Sequence, residues 1–537
     1  MPRHRLPLTL DGRDGPVRLV RNAHGIPEIE APSPEDLALG LGWVHARDRQ
    51  LQILLTRSLL RGRAAEQLAG DPALVAIDRF MRRLDLLPDA DDQLAALEAP
   101  ARRQLEAYAE GFNRGLAACG TVFELRLLGY RPEPWDPRDS LLVAKAIGFI
   151  GLADAQGQME KFLVQMIQQG VDAPRLRELF PYLEDDIDLE LIRQVRLEDP
   201  LVPEALRWLG ALPRLNASNN WAVSGAHTRS GHPIMCGDPH LEVNRLPAIW
   251  QETVMRLPGQ TLLGASIPGV PGLVIGRTRH LAWSATYAFM DMLDYRIEHC
   301  RDGQYRRAEG WKPFRAREEV IRVKKGAAQT LTIYENEHGV LEGDPGPEGY
   351  RLVLGWSARR GCGAEMFNSL LALPFVETVP EALALWRRMD AAAFNWVVAD
   401  RAGNIGYQMS GRCFNRPPGV SGLLPTPGWE ARFDPQGFIP MEDLPTRLNP
   451  PEGLIVTANQ DLNHLGRSRP INLPMGVYRA ERIRQRLEGR DGLTTADMQA
   501  VHFDLYSLQA EAFLDVLRPL LPDTPHGRLL AAWDGTY

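Results

Sequence analysis

Lysine is nearly missing from this chain: of its 61 basic residues five are lysine and 56 arginine, against 68 acidic ones, for a net charge of −7. That skew reads as genomic base composition, and without a basic excess there is no electrostatic footprint for nucleic acid. Cysteine is scarce as well. Cys119, Cys236, Cys300, Cys362 and Cys413 are odd in number and widely spread, with no C-x-x-C and no Cys/His zinc spacing, which argues against a disulfide framework and a structural zinc. No stretch approaches ~18 uncharged apolar residues, so no membrane span is expected. The amino terminus, "MPRHRLPLTLDGRDG", has basic residues but not the apolar run of a signal peptide. As given, the chain reads as soluble and cytoplasmic, or as periplasmic where a leader has been removed. Neither nucleic acid nor membrane is an expected partner.

Apolar side chains are plentiful: 44% of 537 residues is ample for a large core, arranged as roughly two to four domains or one large domain with insertions. "VRLVRNAHGIPEIEA" (Val17 to Ala31) predicts two short strands around a turn at Gly25. "SPEDLALGLGWVHARDRQLQILLTRSLLRGRAAEQLAG" predicts a helix with Ser33 as N-cap and Pro34 at the first helical position, and helical spacing continues to about residue 215. From Ser218 to about residue 460 the segments alternate like strands, with a hairpin predicted from Phe394–Ala399 and Ile405–Met409. Pro and Gly crowd residues 415–453, which predicts a long ordered loop, and helix returns after Arg479. No internal repeat is present. The fold class is α+β.

"RLNASNNWAVSG", residues 214–225, allows two readings. Asn216, Ala217 and Ser218 form a glycosylation sequon, with Ser218 an ordinary loop residue. Alternatively Ser218 is a nucleophile. A serine hydroxyl becomes one when a base takes its proton, and its own α-amine can do so if the chain is cut after Ala217. Residue type alone favours the loop reading.

Five motifs in order change that weighing: "SNNWAVSG" at Ser218, "GDPHL" at Gly237–Leu241, "AWSATYAFMDMLDYRIE", "NPPEGLIVTANQ" and "YRAERI". With "VRNAHGIPEIEA", "GWVHARDRQLQ" and "GRAAEQLAG" before them, the chain resembles the penicillin acylase family of N-terminal nucleophile hydrolases over nearly its whole length. The resemblance implies a four-layer αββα sandwich behind a mainly helical N-terminal chain. It implies a precursor cut at Ala217-Ser218 into an α-chain region, 1–184, and a β-chain region, 218–537, with a spacer at 185–217. The two chains would remain associated as a heterodimer. It also implies that the family's chains continue past the point where this sequence stops.

The same resemblance assigns roles. Ser218 would be nucleophile and, through its α-amine, base. Asn459 and the backbone N–H of Tyr287 would face the oxyanion, His240 would assist with its backbone N–H and have its side chain near the nucleophile, and Arg479 would orient the amine and Asn459. Leu241, Ala285 and Phe289 fall where an acyl pocket would be lined, apolar throughout. Glu160, Asp291, the backbone carbonyl of Leu293, and Asp294 would hold a structural calcium, oxygen ligands suited to a hard cation. No organic cofactor is implied. Three departures are visible: Ala217 stands where glycine is frequent, Tyr287 is bulkier than expected, and residues 462–478 contain no Asp or Glu for a further calcium ligand.

The expectation is a self-processing acylase that splits the amide between an acyl group and an amine such as a β-lactam nucleus or a homoserine lactone. Two alternatives stand beside it. One is an unprocessed relative that binds without catalysing. The other is a conventional serine hydrolase using His240 with Asp291 or Asp294, although no G-x-S-x-G or S-x-x-K surrounds Ser218.

Overall fold

The structure is a computed structural model describing residues 7–185, 188–198, 217–241 and 248–537. Its helical start follows from local chemistry: Ser33 Oγ accepts the Asp36 N–H at 3.2 Å, and Pro34 opens the helix Pro34–Asp48. The predicted single helix is in fact three, Pro34–Asp48, Gln50–Leu60 and Ala64–Gln67. The first break falls at Arg49. Its guanidinium leaves the helix to donate to the Gln251 side chain at 2.7 Å and to the carbonyls of Ala248 and Trp250 at 2.8 Å each, pinning the helix end to the sheet.

A ten-stranded sheet forms the first β layer. It begins with Leu8–Asp11, Pro16–Arg21 and Pro27–Glu30, continues through Gln251–Leu257, Gln260–Ser266, Ile275–Arg277 and Leu281–Tyr287, and ends with Phe394–Asp400, Ile405–Met409 and Thr446–Leu448. The hairpin predicted at Phe394 is present, one residue longer. A second, three-stranded antiparallel sheet places Ala217–Val223 between Leu454–Thr457 and Ile234–His240. A further eight-stranded sheet, built on Leu293–Arg301 and Gly349–Trp356, extends to one side.

Strand alternation decides what faces what. From the three-stranded sheet Asn220, Ala222, Ile455 and Thr457 point to the ten-stranded one: Ser284 donates to Asn220 Oδ1 at 3.0 Å and Thr286 to Thr457 at 3.1 Å. Trp221, Val223, Leu454 and Val456 point the other way, onto Ala480, Ile483, Leu487 and Met498 of the helices Tyr478–Leu487 and Thr495–His502. The outer face of the ten-stranded sheet carries Pro34–Asp48. A Cβ on Gly40 of that helix would lie 2.5 Å from Ile29, so glycine lets helix and sheet approach. The order is helices, sheet, sheet, helices, an αββα sandwich.

Two helices in the strand-rich middle, Ala364–Ala372 and Val379–Trp386, are absent from the sequence reading, although Thr378 and Glu381 form a reciprocal capping box at the second. Pro137–Gln168, 32 residues interrupted by a π turn at Ile147–Ala153, is long and apolar enough to cross a membrane, but its most apolar window is 72% buried within the protein. Most of the expected spacer 185–217 lies outside the described residues. Of the part that is described, Leu189–Arg193 is helical and Val195 bridges to Tyr350.

Helix and sheet are also joined by His45, fully buried between the Tyr108 hydroxyl (2.7 Å) and Ser266 Oγ (3.0 Å). Burial, and secondarily Arg49, pull its pKa down to about 3. The unfolded chain protonates this imidazole near 6.5 and the folded chain does not, so falling pH favours unfolding between those values, at about 1.4 kcal/mol per pH unit. By about pH 5 this site should cost the fold ~2 kcal/mol. Urea unfolding of His45→Gln, which takes no proton, should show a correspondingly smaller loss between neutral pH and pH 5.

Candidate active site

Ser218 is the second residue of the central strand of the small sheet and is 3% exposed. Its Oγ donates to the Ala217 carbonyl oxygen at 2.5 Å, so the hydroxyl lies against the peptide group that self-cleavage would attack. The N–H of that same peptide bond donates to Asn459 Oδ1 at 2.8 Å.

Asn459 is wholly buried and has φ +68°, a left-handed conformation that asparagine tolerates better than most side chains. It leaves the strand Leu454–Thr457 through a tight turn, and the turn aims its amide along the sheet. Nδ2 donates to the Tyr287 carbonyl at 2.7 Å, so one amide bridges the Ser218 backbone and Tyr287. Tyr287 pairs with Phe394, and the adjacent pair, Ala288 with Ala393, carries a ladder hydrogen bond of 3.1 Å. Bonded and non-bonded pairs alternate in antiparallel sheets, so Tyr287 directs its N–H and C=O away from that neighbour and toward the Asn459 side. The Tyr287 backbone thus faces the Asn459 amide, which in turn holds the Ser218 N–H.

Arg479 stands in the first turn of the helix Tyr478–Leu487 and fixes this arrangement from behind. Nη1 donates to the Ser218 carbonyl at 2.8 Å and to Asn219 Oδ1 at 2.7 Å, and Nη2 to the Ala458 carbonyl at 2.7 Å and Asn459 Oδ1 at 3.0 Å. Burial lowers its pKa, opposed by Asp238.

His240 requires a correction. Its strand pairs Ala217 with His240 and Asn219 with Asp238, so the imidazole shares the helix-facing side with Asn219 while Ser218 lies on the opposite side. There Nε2 meets Asp238 Oδ2 at 3.0 Å and Asn219 Nδ2 at 3.2 Å, and the hydrogen bond from His240 holds the Asp238 carboxyl below its usual range. The side chain reaches Ser218 only indirectly, through Asn219 and Arg479.

Ala285 shares a strand face with Tyr287, opposite the face on which Ser284 and Thr286 meet the Ser218 sheet, and the Tyr287 ring meets Phe289 at a centroid distance of 4.4 Å. Phe289 has φ +55°, costly for an aromatic residue, and Gln156 holds its carbonyl at 3.2 Å. The Tyr287 hydroxyl donates to the Leu152 carbonyl inside the π turn. Leu241 follows His240 at the strand end, half-buried. Asn219, Asp238 and Gln156 escaped the sequence reading; only the doubled amide of "SNNW" was available as a signal.

The four expected calcium ligands also converge. Glu160 accepts the Tyr295 N–H at 3.1 Å beside Asp291 and Asp294, and burial pushes both Glu160 and Asp291 up. Three of the atoms that a cation would need, however, are engaged by Arg416: its Nε donates to Asp294 Oδ1 at 2.8 Å, its Nη2 donates to the Leu293 carbonyl at 3.1 Å, and Nη2 forms an ion pair with Asp291 Oδ2 at 2.9 Å. Among the described residues no three His, Cys, Asp or Glu side chains are grouped to hold a metal ion. The residues present do not fit calcium.

Known proteins resemble the chain in sequence and fold. The penicillin amidase family model matches residues 16–537. The chain is 33% identical to a penicillin acylase 2 proenzyme from a Pseudomonas species, over 98% of this chain and 70% of that protein. It is 32% identical to an acyl-homoserine lactone acylase from Pseudomonas aeruginosa, over 96% of this chain and 65% of the relative, and 26% identical to Escherichia coli penicillin G acylase, over 84% and 60%. A thermostable penicillin G acylase from Alcaligenes faecalis superposes with a TM-score of 0.50 at 21% identity over 59% of each chain, a likeness of fold. The chain thus spans between three fifths and seven tenths of the length of these curated relatives. With a family model that covers all but its first residues, the chain belongs to the penicillin amidase family.

Proposed function

We propose that this chain is a self-processing acylase with Ser218 as its nucleophile. The observation that carries the reading is the Asn459 amide, which bridges the Ser218 N–H and the Tyr287 carbonyl while Arg479 holds Ser218 and Asn459 in register. In processing, Ser218 Oγ attacks the Ala217 carbonyl carbon and the acyl group passes from nitrogen to oxygen. Water then hydrolyses the ester, leaving a carboxylate on Ala217 and a free amine on Ser218.

That amine becomes the base for catalysis. It takes the proton of Oγ as Oγ adds to the substrate carbonyl, and the oxyanion forms against Asn459 Nδ2 and the Tyr287 N–H. The proton passes to the leaving nitrogen, the amine product departs, and water attacks the acyl-enzyme to release the acid. By the resemblance, Leu241, Ala285 and Phe289 would line the acyl pocket, and their apolar character favours an aromatic or aliphatic acyl group over a dicarboxylic one. Names among the relatives make a β-lactam nucleus and a homoserine lactone the first amines to try. After the cut, the N-terminal and C-terminal chains remain together through the shared ten-stranded sheet.

A conventional triad has less support. The His240 imidazole lies on the far side of its strand, and Asp291 and Asp294 are engaged by Arg416. The test is intact mass and terminal sequencing of the purified chain, followed by amide hydrolysis with aromatic and aliphatic acyl probes. A new chain beginning Ser-Asn-Asn-Trp and hydrolysis by the cut form are the expected results. An uncut chain, or a cut elsewhere, would remove the basis of the mechanism.

A further inference from the structure

We propose that the junction of Glu160, Asp291, Leu293 and Asp294 is held by an internal cation, the Arg416 guanidinium, in place of a bound metal ion. Arg416 comes from the Pro- and Gly-rich stretch after the strand Ile405–Met409, and its side chain is 8% exposed. It contacts Asp294 Oδ1 (2.8 Å), Asp291 Oδ2 (2.9 Å) and two backbone carbonyls, Leu293 (3.1 Å) and Asp291 (3.3 Å). A planar fork with several donors satisfies such convergent oxygens as a point cation would, and it cannot be removed by a chelator.

Two independent features support the substitution. Asp291 Oδ2 also receives the Asn472 amide, which in turn donates to the Ser421 carbonyl at 2.9 Å, so donors and not a metal take up that oxygen. Asn472 lies in the stretch 462–478, which carries no Asp or Glu, and it turns its Nδ2 to the Asp291 carboxylate while its Oδ1 has no hydrogen-bond partner. Gly422 is the second. A Cβ there would lie 2.4 Å from Asp291 Oδ2 and 2.5 Å from Arg416 Cζ, so the loop is shaped around the arginine-carboxylate pair itself. Arg296 adds a second positive charge, 3.7 Å from Asp294 Oδ2. Glu160 Oε1, Asp294 Oδ2 and Asn472 Oδ1 carry no hydrogen bond, three oxygens that a metal could use, but Asp294 Oδ1, Asp291 Oδ2 and the Leu293 carbonyl are engaged by Arg416, and Glu160 Oε2 and Asp291 Oδ1 by the N–H groups of Tyr295 and Leu293.

The test does not use activity, so it stands apart from the acylase reading. Elemental analysis of the purified chain should find calcium well below one ion per chain, and its melting temperature should be the same in EDTA and in millimolar calcium chloride. Arg416→Ser, which uncovers the carboxylates, should melt several degrees lower in EDTA and recover part of that loss when calcium is added. A stoichiometric ion in the wild type, a wild-type melting temperature lowered by EDTA, or an Arg416→Ser variant as stable as wild type would each overturn the assignment. If Arg416→Ser does not fold, the two wild-type measurements decide alone.

Discussion

Ser218→Ala is expected to stay a single chain and to hydrolyse no amide above background, a loss on the order of 10⁴-fold or more. The size of the effect follows from one atom serving twice. Oγ, 2.5 Å from the Ala217 carbonyl oxygen, is the group that would open the peptide bond before Ser218, and it is the group that would later carry the acyl chain. Alanine removes both steps while filling the same space, and the strand pairing from Ala217↔His240 to Val223↔Ile234 does not depend on the hydroxyl. The variant should therefore fold, which circular dichroism and its melting curve would check. Ser218→Cys separates the steps: a thiol can still undergo the acyl shift, so a cut chain with altered hydrolysis is expected from it. A Ser218→Ala chain that still appears cut between Ala217 and residue 218 would mean that another protease makes the cut. Hydrolysis by that chain would mean that the nucleophile lies elsewhere.

How much of this was legible beforehand depends on distance along the chain. Ser33 and Pro34 announce a helix start because capping is settled within four residues, and the hairpin at Phe394 is announced by its own turn. The order of motifs carries Ser218, Asn459 and Arg479 because each stands in a short, distinctive neighbourhood. His240 shows where such reading fails. Spacing brings it beside the nucleophile strand, but which face its imidazole takes depends on register, and a step of one residue reverses the face. Arg416 lay further out of reach. It is 122 residues from Asp294 in sequence, inside a stretch whose Pro and Gly content says loop and nothing about where the loop returns. The carboxylates were visible and the cation that answers them was not, because local pattern does not encode long-range pairing. Arg49 breaks a well-patterned helix for the same reason, its partners lying about two hundred residues away.

The second large effect belongs to Asn459. Asn459→Ala should lower turnover ~10²- to 10³-fold with little change in KM, the usual consequence of losing one oxyanion donor, equal to about 3–4 kcal/mol of transition-state stabilisation. It should also slow self-cleavage, since Oδ1 holds the N–H of the bond to be cut at 2.8 Å. Alanine alone leaves an ambiguity, because at φ +68° any residue with a Cβ other than asparagine or aspartate pays a conformational penalty of ~1–2 kcal/mol. Asn459→Gly resolves it. Glycine adopts this backbone without strain and lacks the amide, so if the amide matters, glycine should be as poor as alanine in turnover while exceeding it in stability. Recovery of activity in the glycine variant would assign the loss to the backbone and withdraw Asn459 from the oxyanion site. Asn459→Asp completes the set: it keeps the shape but puts a carboxylate oxygen against the Tyr287 carbonyl, 2.7 Å away in the present pairing, and against the developing oxyanion. It should fall at least as far as alanine, because a like charge at that position opposes the transition state that an N–H would favour.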